Sequence, residues 1–214
     1  AFLYRHRGSL YVLGAAAYSV GVGLSVLGGP VALLITLLPG VFWVLYASNW
    51  VPGVMASVRR LKEVLLLNTA LVALAWATSL TFLPLAYADE PAGPAAAAVF
   101  AYFFLRSFVD TEIPNVFDVA TDRAAGVATL PVVVGVAWTR RALYCVDLLT
   151  GALVAAAGAV GLLAPALTVA LLVGVAYSLG VVALLGRVES GDALSVATEF
   201  EYLLVGAALI VTVS

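Results

Sequence analysis

The longest polar stretch of the chain runs from Arg106 to Arg123, and three of its side chains offer oxygen ligands at helical spacing. Asn115, Asp118 and Asp122 are spaced i, i+3 and i+7, so on a helix they would lie on one stripe. Carboxylate and amide oxygens are the ligands that suit Mg²⁺, and a bound cation can in turn hold phosphate oxygens. A solvated acidic helix end would have the same spacing, so the residue types leave metal binding and a plain helix end both open.

The composition around this stretch is that of a membrane protein. Of the 214 residues, 64% are hydrophobic and 10% are charged, and the mean hydropathy is +1.13. Soluble domains average about 45–50% apolar and about 25% charged residues. Ten basic residues within a net charge of −2 form no stripe for nucleic acid, and the single cysteine excludes a disulfide framework. We therefore predict an integral membrane protein.

Apolar segments long enough to cross a bilayer predict the fold class. A bilayer core of about 30 Å needs roughly 20 apolar residues per helix. We expect an all-α, polytopic membrane helix bundle with about seven transmembrane helices, and we treat residues 1–214 as a single membrane-embedded domain. The predicted spans cover residues 10–28, 30–47, 64–86, 95–109, 142–163, 167–185 and a last segment that ends near Val213.

The basic residues predict the orientation of these spans. Nine of the ten fall in alternate loops and therefore on one side of the membrane, whereas the remaining one, Arg106, lies inside the fourth span. Short cytoplasmic loops carry an excess of Lys and Arg. We therefore expect the N-terminus and the aspartate-containing loop on the cytoplasmic side of the cell membrane, and the C-terminus outside.

The wider sequence around the aspartates carries a family resemblance. Residues 115–131 read N-x-x-D-x-x-x-D-R-x-x-G-V-x-T-L-P. This string resembles the second aspartate-rich motif of the UbiA family of membrane prenyltransferases, which reads roughly D-x-x-D-x-x-x-D-R-x-x-G-x-x-T-L-P. Asn115 stands where the family has its first Asp and still provides an oxygen ligand. Upstream, Tyr46, Lys62, Asn68 and Trp76 resemble the family's run into its fifth helix, with extra residues between Tyr46 and Lys62.

The resemblance implies a reaction and its partners. In the family, two aspartate-rich segments bind Mg²⁺, which binds the diphosphate of an allylic prenyl donor. Departure of the diphosphate leaves an allylic carbocation, and a lipophilic acceptor attacks it. The acceptor would be a quinone precursor, a glycerol ether lipid or another isoprenoid. Membrane lipid surrounds the protein, nucleic acid is not a partner, and the sequence indicates no protein partner.

The same resemblance assigns roles to individual residues. Asp118 and Asp122 are the expected catalytic residues, and with Asn115 they are the expected ligands of the Mg²⁺ cofactor. Diphosphate contacts are expected from Lys62, Tyr46, Arg123 and Arg106.

The ionisable residues inside the spans keep alternatives open. On insertion scales such a group costs about 2.5–3.5 kcal/mol at a helix centre, so Arg106 and Asp147 should face protein or water. Arg106 lies four residues before Asp110, which predicts either an i,i+4 ion pair or a contact with diphosphate. Because intramembrane acids also mark ion pathways, a transporter and a non-catalytic membrane protein of the same fold are the alternatives to a transferase.

The family pattern also predicts that this sequence lacks the family's first two helices and its first aspartate motif. The family has nine membrane helices and an earlier aspartate motif after the second, and no such motif precedes Tyr46 here. When residues 115–131 are placed after the sixth helix, the seven spans correspond to helices three to nine. Because the first residue is Ala, we expect an N-terminally truncated domain that does not catalyse prenyl transfer by itself.

Overall fold

The computed structural model describes residues 2–47, 66–188 and 191–213 and is all-α over those ranges. A short 3₁₀ turn, Val26–Gly28, joins the first two helices. In these ranges there are nine α-helices and no strand: α1 Phe2–Ser25, α2 Gly29–Ala47, α3 Leu67–Ala88, α4 Pro94–Asn115, α5 Val119–Ala125, α6 Leu130–Val134, α7 Val136–Ala159, α8 Pro165–Leu184 and α9 Gly191–Val213.

Seven of these helices have between 19 and 24 residues, which is long enough to cross a bilayer core. By length and hydropathy, five segments of the described chain qualify as membrane spans: Gly8–Gly40, Leu67–Ala88, Val136–Ala159, Pro165–Leu184 and Gly191–Thr212. Gly8–Gly40 runs through both α1 and α2, and α4 does not qualify because Arg106, Asp110 and Glu112 lower its hydropathy. The polytopic helical membrane bundle is confirmed, with five spans supported by hydropathy where the sequence predicted seven.

The outer surface of the bundle is apolar. Ile210, Val12 and Leu203 expose 72%, 71% and 67% of their surface, and all three lie on long helices. Helices that are apolar on their outer face as well as their inner face are typical of membrane proteins, in which lipid replaces water.

Helix α4 occupies the centre of the described bundle. It packs against α3, α7 and α9, and α9 packs in turn against α8. The two apolar clusters of the core both include α4 residues: one is formed by Val109, Ile113, Val116, Leu143, Val181, Val182, Leu185 and Leu194, and the other by Tyr102, Val154, Ala157, Leu163, Leu171 and Val175. The helix that leads into the aspartate motif is therefore fixed on several sides.

Candidate active site

The aspartate motif begins where α4 ends, and this corrects the expectation of one continuous helical stripe. Helix α4 stops at Asn115, and α5 starts with Asp118 as its N-cap residue, at φ −96° and ψ 8°. The amides of Val116 and Phe117 bond back three residues, to the carbonyls of Ile113 and Pro114. Pro114 lacks an amide hydrogen for the preceding turn, which favours an end to the helix here. Asn115 therefore lies on a different helix from Asp122.

Asp118 and Asp122 still lie on the same side of one helical turn. The amide of Asp122 donates to the carbonyl of Asp118 at 2.8 Å, which is the i,i+4 bond of an α-helix. Asp118 is exposed and Asp122 is half-buried. Among the described residues, neither carboxylate takes part in an ion pair.

Gly126 and Thr129 of the motif have different structural roles. Gly126 follows α5 with φ +71°, its amide bonds to Arg123, and the amide of Val127 bonds to Asp122. This pattern is a Schellman motif, in which glycine is favoured because the residue is left-handed. Thr129 precedes α6 with an extended backbone, and its hydroxyl donates to Asp122 Oδ2 at 3.2 Å. The second half of the motif thus reverses the chain and holds one of the two aspartates.

We expect Gly126→Ala to lower the free energy of unfolding by about 1–2 kcal/mol, which is the cost of a left-handed conformation for an L-residue. A Cβ at this position would meet nothing within 4 Å, so the cost is conformational and not steric. Urea titration in mixed micelles measures the effect. Gly206→Ala is the matched control, because Gly206 also has open space around it but is helical, so alanine there should be neutral or stabilising. Equal losses in both variants would contradict the assignment.

A third carboxylate lies beside the motif, inside the bundle. Glu112 is fully buried one turn before Asn115, and its Oε1 accepts a hydrogen bond from Thr69 Oγ1 at 2.5 Å. Its Oε2 is buried and has no hydrogen-bond partner among the described residues. The Asn115 side chain and the Leu130 backbone stand close to this carboxylate, and Asp122 is near enough to interact with it electrostatically. A buried oxygen without a partner is costly.

The residues around the motif fit a divalent cation. Asp118 and Asp122 offer carboxylate oxygens, Asn115 an amide oxygen, and Glu112 the unpartnered buried oxygen described above. Oxygen ligands of this kind, with water completing the coordination, are what Mg²⁺ takes. Within the described ranges, no group of three or more His, Cys, Asp and Glu residues is already arranged around one point. A cation here would draw on the amide and on solvent as well as on the two motif aspartates.

Of the four residues expected to contact the diphosphate, the structure describes the side chains of Arg123 and Arg106. Arg123 follows Asp122 on α5 and is exposed, so its guanidinium is accessible at the motif. Tyr46 belongs to α2, whereas Lys62 and the side chain of Tyr46 lie outside the described part of the chain.

Arg106 is placed in the interior and paired with carboxylates. It is 1% exposed. Its Nε donates to Glu201 Oε1 at 2.7 Å, its Nη1 to Asp147 Oδ1 at 2.5 Å, and its Nη2 to Asp110 Oδ1 at 3.1 Å. Nη2 also bonds Glu201 Oε2. Four of its five N–H donors are therefore used within the bundle, and the i,i+4 pair with Asp110 that the sequence predicted is confirmed.

Hydroxyl groups complete the hydrogen bonding of this cluster, which we call the Arg106 network. Asp147 Oδ2 accepts from Ser178 at 2.9 Å, Glu201 accepts from Tyr102 at 3.0 Å, and Asp110 Oδ2 accepts from Tyr202 at 2.9 Å. The network ties α4 to α7, α8 and α9. Buried charges in an apolar bundle are tolerated only when they are paired in this way.

Sequence reasoning missed Glu201 and Tyr202 as members of this network. Glu201 lies inside the last apolar segment, and a carboxylate inside a span requires a partner. The signal that could have found the pair was charge balance, because Arg106 is the one basic residue inside a predicted span.

A model of the UbiA prenyltransferase family matches residues 6–204. Searches of curated proteins and of solved structures returned no match.

Proposed function

Because the chain belongs to the UbiA prenyltransferase family, we propose that it transfers a prenyl group from an allylic prenyl diphosphate to a lipophilic acceptor in the membrane, with Mg²⁺ as cofactor. The observation that carries this proposal is the family match over residues 6–204, which includes the whole motif at residues 115–131. A transporter would use its intramembrane charges along an ion path, whereas Arg106 is already paired with three carboxylates. That arrangement favours the transferase.

The proposed reaction breaks one bond and forms another at C1 of the prenyl group. The C1–O bond breaks, the diphosphate leaves with the electron pair, the acceptor's nucleophile bonds to C1, and the acceptor loses a proton. Bound Mg²⁺ would offset the negative charge that develops on the leaving diphosphate. Asp118, Asp122 and Asn115 would hold the cation. An apolar interior keeps water from the reactive carbon.

Basic and phenolic groups would hold the diphosphate itself. We propose Lys62, Tyr46 and Arg123 for this role, because their positions match the family's pattern, and Arg123 is exposed beside Asp122. Arg106 is left out of the proposed set, since its guanidinium is directed at Asp110, Asp147 and Glu201.

The first test is binding of a prenyl diphosphate. The full-length protein is placed in lipid nanodiscs, and binding of labelled geranylgeranyl diphosphate is measured with Mg²⁺ and with EDTA. We expect saturable binding that EDTA removes and Mg²⁺ restores, followed by transfer when acceptors are supplied. Binding of the prenyl diphosphate that does not depend on Mg²⁺, or transport of a solute without prenyl transfer, would overturn the proposal.

The sidedness of the site is a separate proposal with its own measurement. We propose that the motif lies on the cytoplasmic side and the α3–α4 loop on the outer side, because the basic residues favour that orientation. Ala125 and Ala92 are both exposed, so cysteines introduced there are accessible to a thiol reagent. In a Cys145→Ser background, an impermeant maleimide should label Ala92→Cys on intact cells and Ala125→Cys only after permeabilisation. The opposite pattern would refute the topology.

A further inference from the structure

A cavity of about 420 Å³ lies between α3, α4 and α9. Five polar side chains line it: Ser107, Asp110, Thr111, Glu199 and Tyr202. Trp76 and Leu203 form apolar parts of its wall, and both are also exposed on the outer surface of the bundle, at 57% and 67%. A hydrophobic molecule dissolved in the bilayer can therefore reach these polar groups without crossing water.

The cavity lies on the membrane side of the aspartate motif. Asp110 precedes Asn115 by five residues on α4, which corresponds to about 7–8 Å along a helix axis at 1.5 Å per residue. A ligand in the cavity would therefore lie deeper in the bundle than a diphosphate at Asp118 and Asp122. This is the relative position that an acceptor needs when the donor's diphosphate is held at the motif.

The charges of the cavity are negative and are not balanced by a free cation. Asp110 and Glu199 are carboxylates, and none of the lining residues is basic. The nearest described cation along α4 is Arg106, which is buried and uses its Nε and both Nη nitrogens on carboxylates. The single guanidinium of Arg106 is shared among Asp110, Asp147 and Glu201, so it offsets the charge of Asp110 only in part. An anionic headgroup would therefore be repelled by Glu199 and, less strongly, by Asp110.

The hydrogen-bonding groups of the cavity favour a hydroxyl ligand. Asp110 and Glu199 accept hydrogen bonds. Tyr202 donates to Asp110 at 2.9 Å, so its phenolic oxygen keeps a lone pair for an incoming donor. The Thr111 hydroxyl donates to the Ser107 carbonyl at 2.7 Å, and the Ser107 hydroxyl lies 3.5 Å from the Tyr202 hydroxyl, so both hydroxyl oxygens keep lone pairs that can accept a hydrogen bond from a ligand. An alcohol or phenol can satisfy these groups without bringing a charge.

We propose that this cavity is the acceptor site, and that the acceptor is a lipophilic molecule whose polar end carries hydroxyl groups and no anionic group. Acceptors with a carboxylate or phosphate at that end are excluded by the two carboxylates. The inference rests on the proposed prenyl transfer, since only a transferase needs an acceptor. Family membership leaves the class of acceptor open, and the inference restricts it to molecules without an anionic polar end.

Two probes with the same ring test the charge preference: 4-hydroxybenzyl alcohol and 4-hydroxybenzoate. Binding to the full-length protein in nanodiscs of uncharged lipid is followed by tryptophan fluorescence, without Mg²⁺ or prenyl diphosphate. We expect the alcohol to bind at least tenfold more tightly than the benzoate. The part of the quenching that is due to the cavity should disappear in Trp76→Phe.

Matched variants separate the cavity from the general surface charge. Glu199→Gln should reduce the alcohol-to-benzoate ratio by about threefold or more, because one of two repelling charges is removed. Asp192→Asn is the control: Asp192 is exposed at the start of the same helix, outside the cavity, and its loss should leave the ratio unchanged.

Equal or tighter binding of the benzoate, or quenching that is undiminished in Trp76→Phe, would each overturn the inference. The diphosphate assay distinguishes this failure from failure of the proposed function. If Mg²⁺-dependent binding of geranylgeranyl diphosphate is present while the probes show no preference, only the acceptor assignment is wrong. If that binding is absent, the proposed prenyl transfer itself is wrong.

Discussion

Asp118→Asn and Asp122→Asn should each reduce prenyl transfer by at least about 100-fold. A carboxylate about 4 Å from a charge contributes roughly 4 kcal/mol at an effective dielectric constant of 20, and each 1.36 kcal/mol lost from the transition state is about tenfold in rate. Asparagine keeps the shape of the side chain but removes the charge that holds the cation. Single-turnover transfer of labelled donor, at saturating acceptor, measures the loss.

Three further variants make this prediction specific. Asn115→Ala should have a milder effect, because a neutral amide contributes less to a divalent site than a carboxylate does. Glu112→Gln should weaken Mn²⁺ binding, followed by electron paramagnetic resonance, because it removes the unpartnered buried oxygen beside the motif. Asp89→Asn is the control, since Asp89 is an exposed acid in the α3–α4 loop. Full activity in both aspartate variants would contradict the proposal that Asp118 and Asp122 hold a metal ion.

The seven long helices followed from the sequence because each depends on local signals. Long apolar segments gave the helices, and Pro94 and Pro165 stand at the starts of α4 and α8, where a missing amide hydrogen costs nothing. The prediction of a single helical stripe of Asn115, Asp118 and Asp122 was wrong, although Pro114 itself indicates a helix boundary close to the motif. Spacing arguments assume a continuous helix, whereas the two short turns after Ile113 place Asn115 and Asp122 on different helices.

Sequence spacing could not predict the ion pairs between residues that are far apart along the chain. Arg106 and Asp110 are four residues apart and were expected to pair, but Asp147 and Glu201 are 41 and 95 residues from Arg106 along the chain. Only the packing of α4 against α7 and α9 brings their carboxylates to one guanidinium. The same limit applies to the cavity, whose polar lining comes from α4 and α9.

Replacing Arg106 should destabilise the bundle more than it changes the chemistry of the motif. In Arg106→Leu, three carboxylates lose their partner in an apolar interior, and removal of one member of a buried ion pair costs about 3–5 kcal/mol. We expect a loss of that size in the free energy of unfolding, measured by urea titration in mixed micelles. Arg123→Leu is the matched control, because Arg123 is exposed and its loss should leave stability almost unchanged while weakening diphosphate binding.

Neutralising the partners should reverse most of the loss. When Asp110→Asn, Asp147→Asn and Glu201→Gln are added to Arg106→Leu, no buried charge of the network is left unpaired, and replacement of a whole buried ionic cluster is often nearly neutral. The two Arg106 roles predict opposite patterns. A structural guanidinium gives an unstable single variant and a recovered quadruple variant, whereas a diphosphate contact gives an Arg106→Leu protein that is as stable as the wild type and fails to bind prenyl diphosphate. That second pattern would show that Arg106 contacts the substrate. It would contradict our explanation that Arg106 is buried because it pairs with the carboxylates of the network.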